Sequence, residues 1–329
     1  MRALLLAALS TFLACGDPPP PSDGQVEGAK LATSLVQQLN SSLQLSAPFR
    51  CARVQVNLAT PRVNGMSTSM TGATVQFEEL AKKKSLRFGA ISDARGSEEE
   101  TLAAVSTLRE SFVTEKVDLV LSLGGHGSSL ASIQAVLSAL TLDAPYLTIA
   151  IPGDRESVSA HREAVRELAK SGAKIIDGAR YRVLSFGKVV VATMPGISKQ
   201  ANLIEGDNGC LHTVADVNQL LRYLPADTSL LLASYAPPRQ EGPEGSDIGA
   251  GGIHTGEAAL AGLLQNKALS LVVHGMVDNA TPSSGKLKLG QGMRSVATGS
   301  ADPLEGRTSA LVISITGKKL AWKRLRADR

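Results

Sequence analysis

Five short turns carry most of the side chains in this chain that could do chemistry. They read Ser92-Asp93-Ala94-Arg95-Gly96, Gly124-Gly125-His126-Gly127, Pro152-Gly153-Asp154-Arg155-Glu156, Tyr235-Ala236-Pro237-Pro238 and Gly275-Met276-Val277-Asp278-Asn279. Acids and imidazoles brought within about 2 Å of one point can hold a metal ion and activate water. A glycine turn at a helix start can cradle phosphate through backbone N–H groups. A turn histidine can serve as a general base. The Gly124–Gly127 turn has no lysine of the phosphate-loop kind, so a tight structural turn is the expected reading. His126, His254 and His274 with Asp93, Asp154 and Asp278 show no close spacing that would enforce a zinc site. There is no Gly-x-Ser-x-Gly motif, no serine–histidine–acid triad is legible, and Ser128-Ser129 read as a helix start.

Each of these turns follows an apolar run, at residues 86–91, 117–123, 146–151, 229–234 and 269–274. Helical periodicity covers 98–115, 129–140, 157–171, 212–223 and 255–264. Further strand-like runs lie at 173–176, 181–186 and 188–193, and a closing hairpin at 309–315 and 319–325 turns about Gly317. Carboxyl ends of parallel strands open onto one crevice, so the five turns are expected close together. The βαβ rhythm followed by antiparallel strands predicts a layered α/β fold. Before it, residues 24–45 read as an amphipathic helix, 49–59 alternate as a strand, and 63–74 read as a loop or hairpin. On this reading His161 and His212 sit on helices facing solvent, His126 is an exposed turn histidine, and His274 is half-buried at a strand end.

In order and spacing, the turns from residue 85 to 325 resemble the motifs of the calcineurin-like metallophosphoesterases. That family writes Asp-x-His, Gly-Asp, Gly-Asn-His-Asp/Glu, a Ser-His before a proline pair, and Gly-His-x-His. The segment GGIHTGEAALAGLL, leading to LSLVVHGMVDNA, is similar to the family's approach to its last motif. The resemblance implies a four-layer α/β/β/α sandwich, two metal ions and phosphate-ester hydrolysis. Carried over position by position, it also implies that the metal site is degenerate. Asp93 keeps the first acid, but Arg95 stands for its partner histidine and Gly125 for the metal-bridging aspartate. Asp154 replaces an asparagine, Arg155 a catalytic histidine, Tyr235 a histidine ligand, and Met276 and Asp278 the last two histidines. A two-metal site needs a bridging anion, and the guanidinium groups of Arg95 and Arg155 are permanently cationic. Catalysis is therefore expected to be lost, with no resident cofactor. Arg95, Arg155, His126 and His254 are left as candidates for binding a small anion. The alternative is an active metal-dependent phosphoesterase with a single Mn, Fe or Zn ion on Asp93, Asp154 and Asp278.

The beginning of the chain bears on location. Arg2 precedes an apolar run from Ala3 to Ala14 that is too short to span a bilayer, and Phe12-Leu13-Ala14-Cys15 resembles a bacterial lipobox. The expected organisation is a signal at 1–14, a Pro-rich tether at 15–24, an extension at 25–84 and the phosphoesterase-like domain at 85–329. A lipid on Cys15 would anchor an exported protein to the bacterial envelope, with outer-membrane placement expected. In such a compartment Cys51 and Cys210 are the candidate disulfide. The net charge of +4 over 329 residues does not call for nucleic acid, and the basic residues from Lys318 onward are read as a solvated strand end. A third reading is an envelope assembly component contacting a protein partner through residues 24–45 or 63–74.

Overall fold

Alternation along the strand at residues 119–122 builds the middle of the molecule. Leu119 and Leu121 point into one apolar core and Val120 into another, because successive strand side chains face opposite sides. The computed structural model describes residues 51–199, 203, 209–225, 228–240, 245–249, 252–265, 268–277, 284–286, 294–303, 308–317 and 319–327. The chain divides into two units, Met1–Ala47 and Pro48–Arg329, and every described residue belongs to the second. Cys15, the tether and the expected helix at 24–45 lie outside the described residues, as does Asp278.

The elements run in chain order as β1 (Thr68–Thr71), β2 (Thr74–Phe77), α1 (Glu78–Ala81), β3 (Ser85–Ile91), α2 (Glu99–Thr114), β4 (Leu119–Ser122), α3 (Leu130–Thr141), β5 (Leu147–Ala150), α4 (Val158–Lys170), β6 (Ile175–Asp177), β7 (Val183–Phe186), β8 (Val189–Met194), α5 (Val214–Leu221), β9 (Ser229–Ser234), a 3-10 helix (Ala258–Gln265), β10 (Leu269–His274), β11 (Ser284–Lys286), β12 (Arg294–Ala297), β13 (Thr308–Thr316) and β14 (Lys319–Ala327). They form a six-stranded sheet, β14-β13-β3-β4-β5-β6, and an eight-stranded sheet, β1-β2-β7-β8-β9-β10-β12-β11. β3 to β6 are parallel, and β13 joins β3 antiparallel. In the second sheet β8, β9, β10 and β12 are parallel neighbours.

Helices α2, α3 and α4 cover the outer face of the six-stranded sheet. α2 presents Val105, Leu108 and Phe112 to it, and α3 presents Ile133, Val136, Leu137 and Leu140. α3 begins where Ser129 Oγ accepts the backbone N–H of Ser132 at 3.1 Å, and α4 where Ser157 Oγ accepts that of Ala160 at 3.2 Å. The inner faces of the sheets share a core that includes Phe88, Leu121, Ile149, Val191, Leu231 and Ile313. Val217 and Leu220 of α5, with Leu260 and Leu263 of the 3-10 helix, extend this core on the far side of the eight-stranded sheet. The architecture is a four-layer α/β/β/α sandwich.

Several expectations are corrected. Residues 51–60 form no strand; the side chain of Gln219 pairs with Val54 instead, donating to its carbonyl at 3.1 Å and accepting its N–H at 3.0 Å. The 255–264 segment becomes a 3-10 helix only from Ala258, ending at Gln265, and the 212–223 helix spans only Val214–Leu221. The basic end is not wholly solvated, since Arg324 donates to the carbonyls of Thr298 at 2.6 Å and Ala297 at 2.9 Å. Other expectations hold: the 63–74 stretch contributes to a hairpin, one of its two expected forms, turning at Gly72 with φ +62°. Cys51 and Cys210 form a disulfide, with Cα atoms 5.4 Å apart. Among the described residues no helix is long and apolar enough to cross a membrane.

Candidate functional site

The turns after β3, β4, β5, β9 and β10 meet, bringing Asp93, Gly125, Asp154, Tyr235 and Met276 to one place. The backbone N–H of Asp93 donates to Gly124 O at 2.9 Å and that of Arg95 to Gly125 O at 2.6 Å, which locks the first two turns together. The backbone N–H of Met276 donates to Asp93 Oδ2 at 2.9 Å, and Ser92 Oγ donates to the same oxygen at 2.7 Å. The Tyr235 hydroxyl lies between the two acids, 2.6 Å from Asp154 Oδ1 and 3.1 Å from Asp93 Oδ1. Asp93, Arg95 and Met276 all adopt left-handed backbone, with φ of +55°, +64° and +56°. Non-glycine residues seldom do so, and such strain gathers where a constellation of side chains is held in place.

Charge at this point is shaped by burial. Asp93 is 2% exposed, and burial raises its pKa against the opposing pull of Ser92, Arg95, the Met276 N–H and Tyr235. Burial also pushes Asp154 up to about 6, opposed by the Tyr235 hydrogen bond and assisted by the Asp93 charge. The Tyr235 phenol is driven well above its ordinary value by burial and by the two neighbouring carboxylates, so it remains a donor.

The raised value of Asp154 gives a pH prediction. A carboxyl with folded pKa near 6 against 3.8 unfolded weakens folding as pH rises from about 4 to 6. Asp154→Asn removes the ionisation and keeps an oxygen for the Tyr235 hydroxyl. It should stabilise the protein by about 1–3 kcal/mol at pH 7.5 and by nothing at pH 4. Urea titrations at the two pH values measure this; an equal shift at both would show that Asp154 carries no such penalty.

The residues present do not fit a two-metal centre. A Cβ on Gly125 would lie 2.6 Å from Asp93 Oδ1 and 2.8 Å from its Cα, and Gly125 has φ +71°. Position 125 is thus closed to a side chain by the backbone and carboxylate of Asp93. A Cβ on Gly153 would lie 2.7 Å from the Tyr235 ring, so that glycine clears room for the tyrosine. Both remaining carboxylates face the Tyr235 hydroxyl. Met276 contributes its N–H, and its partly buried side chain packs against the inter-sheet core. Arg95 and Arg155 act electrostatically on Asp93 and Asp154. Among the described residues no group of three or more His, Cys, Asp or Glu is arranged around a common point suited to a metal ion.

The histidines differ most from expectation. His126, a candidate for anion binding, is 2% exposed and turned inward. Its Nδ1 lies 2.7 Å from Glu156 Oε1 and its Nε2 lies 2.6 Å from Ser122 Oγ. Ser122, His126 and Glu156 are therefore neighbours, a serine–histidine–acid grouping with no trace in the sequence, although Nδ1 meets Glu156 outside hydrogen-bond geometry. Each is at most 2% exposed, so a substrate has no approach to Ser122. Burial opposes ionisation of Glu156, but the contacts and charge of His126 outweigh it and lower the pKa. His161 is also buried, and burial lowers its pKa against the pull of Asp177. His212 is buried with Nε2 2.7 Å from Glu257 Oε2. These histidines turn inward because each faces a carboxylate contributed by a different part of the chain. His274 is fully buried, with Nδ1 donating to Gly275 O at 3.0 Å and its pKa lowered by burial to about 4. His254 holds its Nδ1 2.9 Å from buried Asp247, which positions it through Asp247 rather than against Asp93 or Asp154.

No family model matches the sequence, and no curated protein matches it. Solved structures do. TT1561 of Thermus thermophilus aligns at 15% identity over 72% of this chain and 98% of its own, with a TM-score of 0.51. A dimetal phosphatase from Danio rerio aligns at 10% identity over 73% of this chain and 96% of its own, again with a TM-score of 0.51. Another solved chain reaches a TM-score of 0.55 at 13% identity, covering 73% of this chain and 99% of that one. At such identities the likeness concerns the fold, and the fold is of the metallophosphoesterase type.

Proposed function

We propose that this protein is a metallophosphoesterase-fold module that has lost two-metal hydrolysis. It serves as a binding or structural component of the bacterial cell envelope, tethered through a lipid on Cys15. The observation that carries this reading is the Tyr235 hydroxyl, which occupies the position between Asp93 and Asp154 at 3.1 and 2.6 Å. A single phenol O–H shared between the two acids, nearer Asp154, offsets their charge in part, and it supplies no activated water. The short apolar run before Cys15 and the Pro-rich tether support the anchored location, and the Cys51–Cys210 disulfide suits an oxidising compartment.

A small anion such as inorganic phosphate is the ligand class that the guanidinium groups suit. Arg155 is half-buried and acts electrostatically on Asp154, so its guanidinium belongs to the same crevice. Inorganic phosphate at millimolar concentration should raise the melting temperature of the protein by a few degrees, and Arg155→Ala should abolish the rise. Turnover of a generic phosphodiester in the presence of Mn, Fe or Zn, lost in Asp93→Ala, would contradict the reading and favour an atypical enzyme.

A further inference from the structure

We propose that residues 51–60 form a strap, latched to the body by the Cys51–Cys210 disulfide, that lets go locally on reduction while both sheets stay folded. This rests on the anchored reading for its biological use, though not for its physics. The strap has neither helix nor strand, and side chains of other elements hold it. Gln219 of α5 makes the paired hydrogen bonds with Val54 described above. The Arg182 guanidinium donates to the Ala52 carbonyl, and the Tyr181 hydroxyl donates to the Ala59 carbonyl at 3.0 Å. Within the strap only Cys51, Ala52 and Val54 are buried and Leu58 is half-buried against the core; Arg53, Gln55, Val56, Asn57, Ala59 and Thr60 are exposed. Segments with so little buried apolar surface open at far lower free energy than the sheets beside them. β8, by contrast, is buried at every residue.

The two ends of the disulfide differ. Cys210 is fully buried, and its carbonyl accepts the Ile197 N–H at 3.1 Å, so it stays with the body. Cys51 is 8% exposed and leads directly to the N-terminal unit. Transient opening of the strap brings Cys51 within reach of a dithiol reductant. Its thiolate forms a mixed disulfide there and releases the Cys210 thiolate; its second thiol then frees Cys51 and leaves the reductant as the disulfide. Two electrons and two protons pass to the pair of cysteines. The release ends near Pro61, whose carbonyl accepts the Thr68 hydroxyl at 2.6 Å, and at buried Val63. Ten freed residues amount to roughly 33 Å of chain at full extension. Meanwhile buried Arg182 is left short of its Ala52 acceptor, which favours re-latching.

Hydrogen exchange of the full chain, oxidised and after treatment with a phosphine reductant, tests the latch. Amides of residues 51–60 should exchange at least about tenfold faster after reduction, and those of β8 and β9 should not change. The Cys51→Ser variant should reproduce the reduced pattern without reductant. Unchanged exchange of 51–60 in both samples would overturn the proposal, and so would acceleration spread through β7, β8 and β9. The mass of the Cys15 peptide reports separately on the anchor. An unlipidated Cys15 alongside local release would end the anchored reading and leave the latch standing.

Discussion

Gly125→Asp, which puts an acid where the resemblance expects a metal-bridging one, will destabilise the fold by at least about 3 kcal/mol and bring in no metal. Three effects add in the same direction. The residue must keep φ +71°, which costs a non-glycine residue about 1–2 kcal/mol. Its Cβ would lie 2.6 Å from Asp93 Oδ1 and 3.0 Å from Asp93 N, so the Ser92-Asp93 turn must move. That turn is held by the N–H groups of Asp93 and Arg95 on the Gly124 and Gly125 carbonyls, and moving it breaks both bonds. Finally, a third carboxylate is placed beside two whose pKa values burial already raises. Chemical denaturation gives the stability, and titration with Mn or Zn gives the metal affinity. A variant that is as stable as the parent and binds a divalent ion would show that the crevice is only one residue away from a metal centre.

Tyr235→Phe is the second large effect, with an expected loss of about 2–4 kcal/mol at pH 7.5 and a smaller one at pH 4. The ring still fills the space that Gly153 leaves, so packing changes little. What is lost is the only hydroxyl donor to Asp93 Oδ1 and Asp154 Oδ1 among the described residues. Hydrogen bonds to buried charged groups are worth more than neutral ones, and an unsatisfied buried carboxylate retains its full desolvation penalty. Removing the donor raises the pKa of Asp154 further above 6, so the variant takes up a proton more readily. Below that value Asp154 is neutral, needs the donor less, and the penalty shrinks. Urea midpoints of parent and variant from pH 4 to 8 follow this directly. A pH-independent loss would assign Tyr235 a packing role only.

The layered fold and the convergence of the five turns were legible because both follow from local patterns. Apolar runs such as 119–122 and 147–150 end abruptly in polar or glycine turns, and parallel strands carry their ends to one side. Asp93, Gly125, Asp154, Tyr235 and Met276 could therefore be placed together from spacing alone. The bridge that Tyr235 makes could not, because hydrogen bonds between turns of two different sheets leave no periodic trace. The same reason hid the histidines. His126 looks exposed from its glycine neighbours, yet Glu156 accepts its backbone N–H at 2.6 Å from a different turn. His161 occupies a helix face that is buried only because β5 and β6 lie beneath α4. Residues 49–59 alternate like a strand, but the chain there meets Gln219, Arg182 and Tyr181 side chains rather than a free sheet edge.

On the proposed reading, side chains occupy the place that metal ions would take. The most direct test is the metal content of the purified full chain, measured by mass spectrometry after dialysis against Mn, Fe and Zn salts. The account predicts well below one equivalent of any transition metal, unchanged in Asp93→Ala. One or two equivalents, bound in the parent and lost in Asp93→Ala, would contradict it.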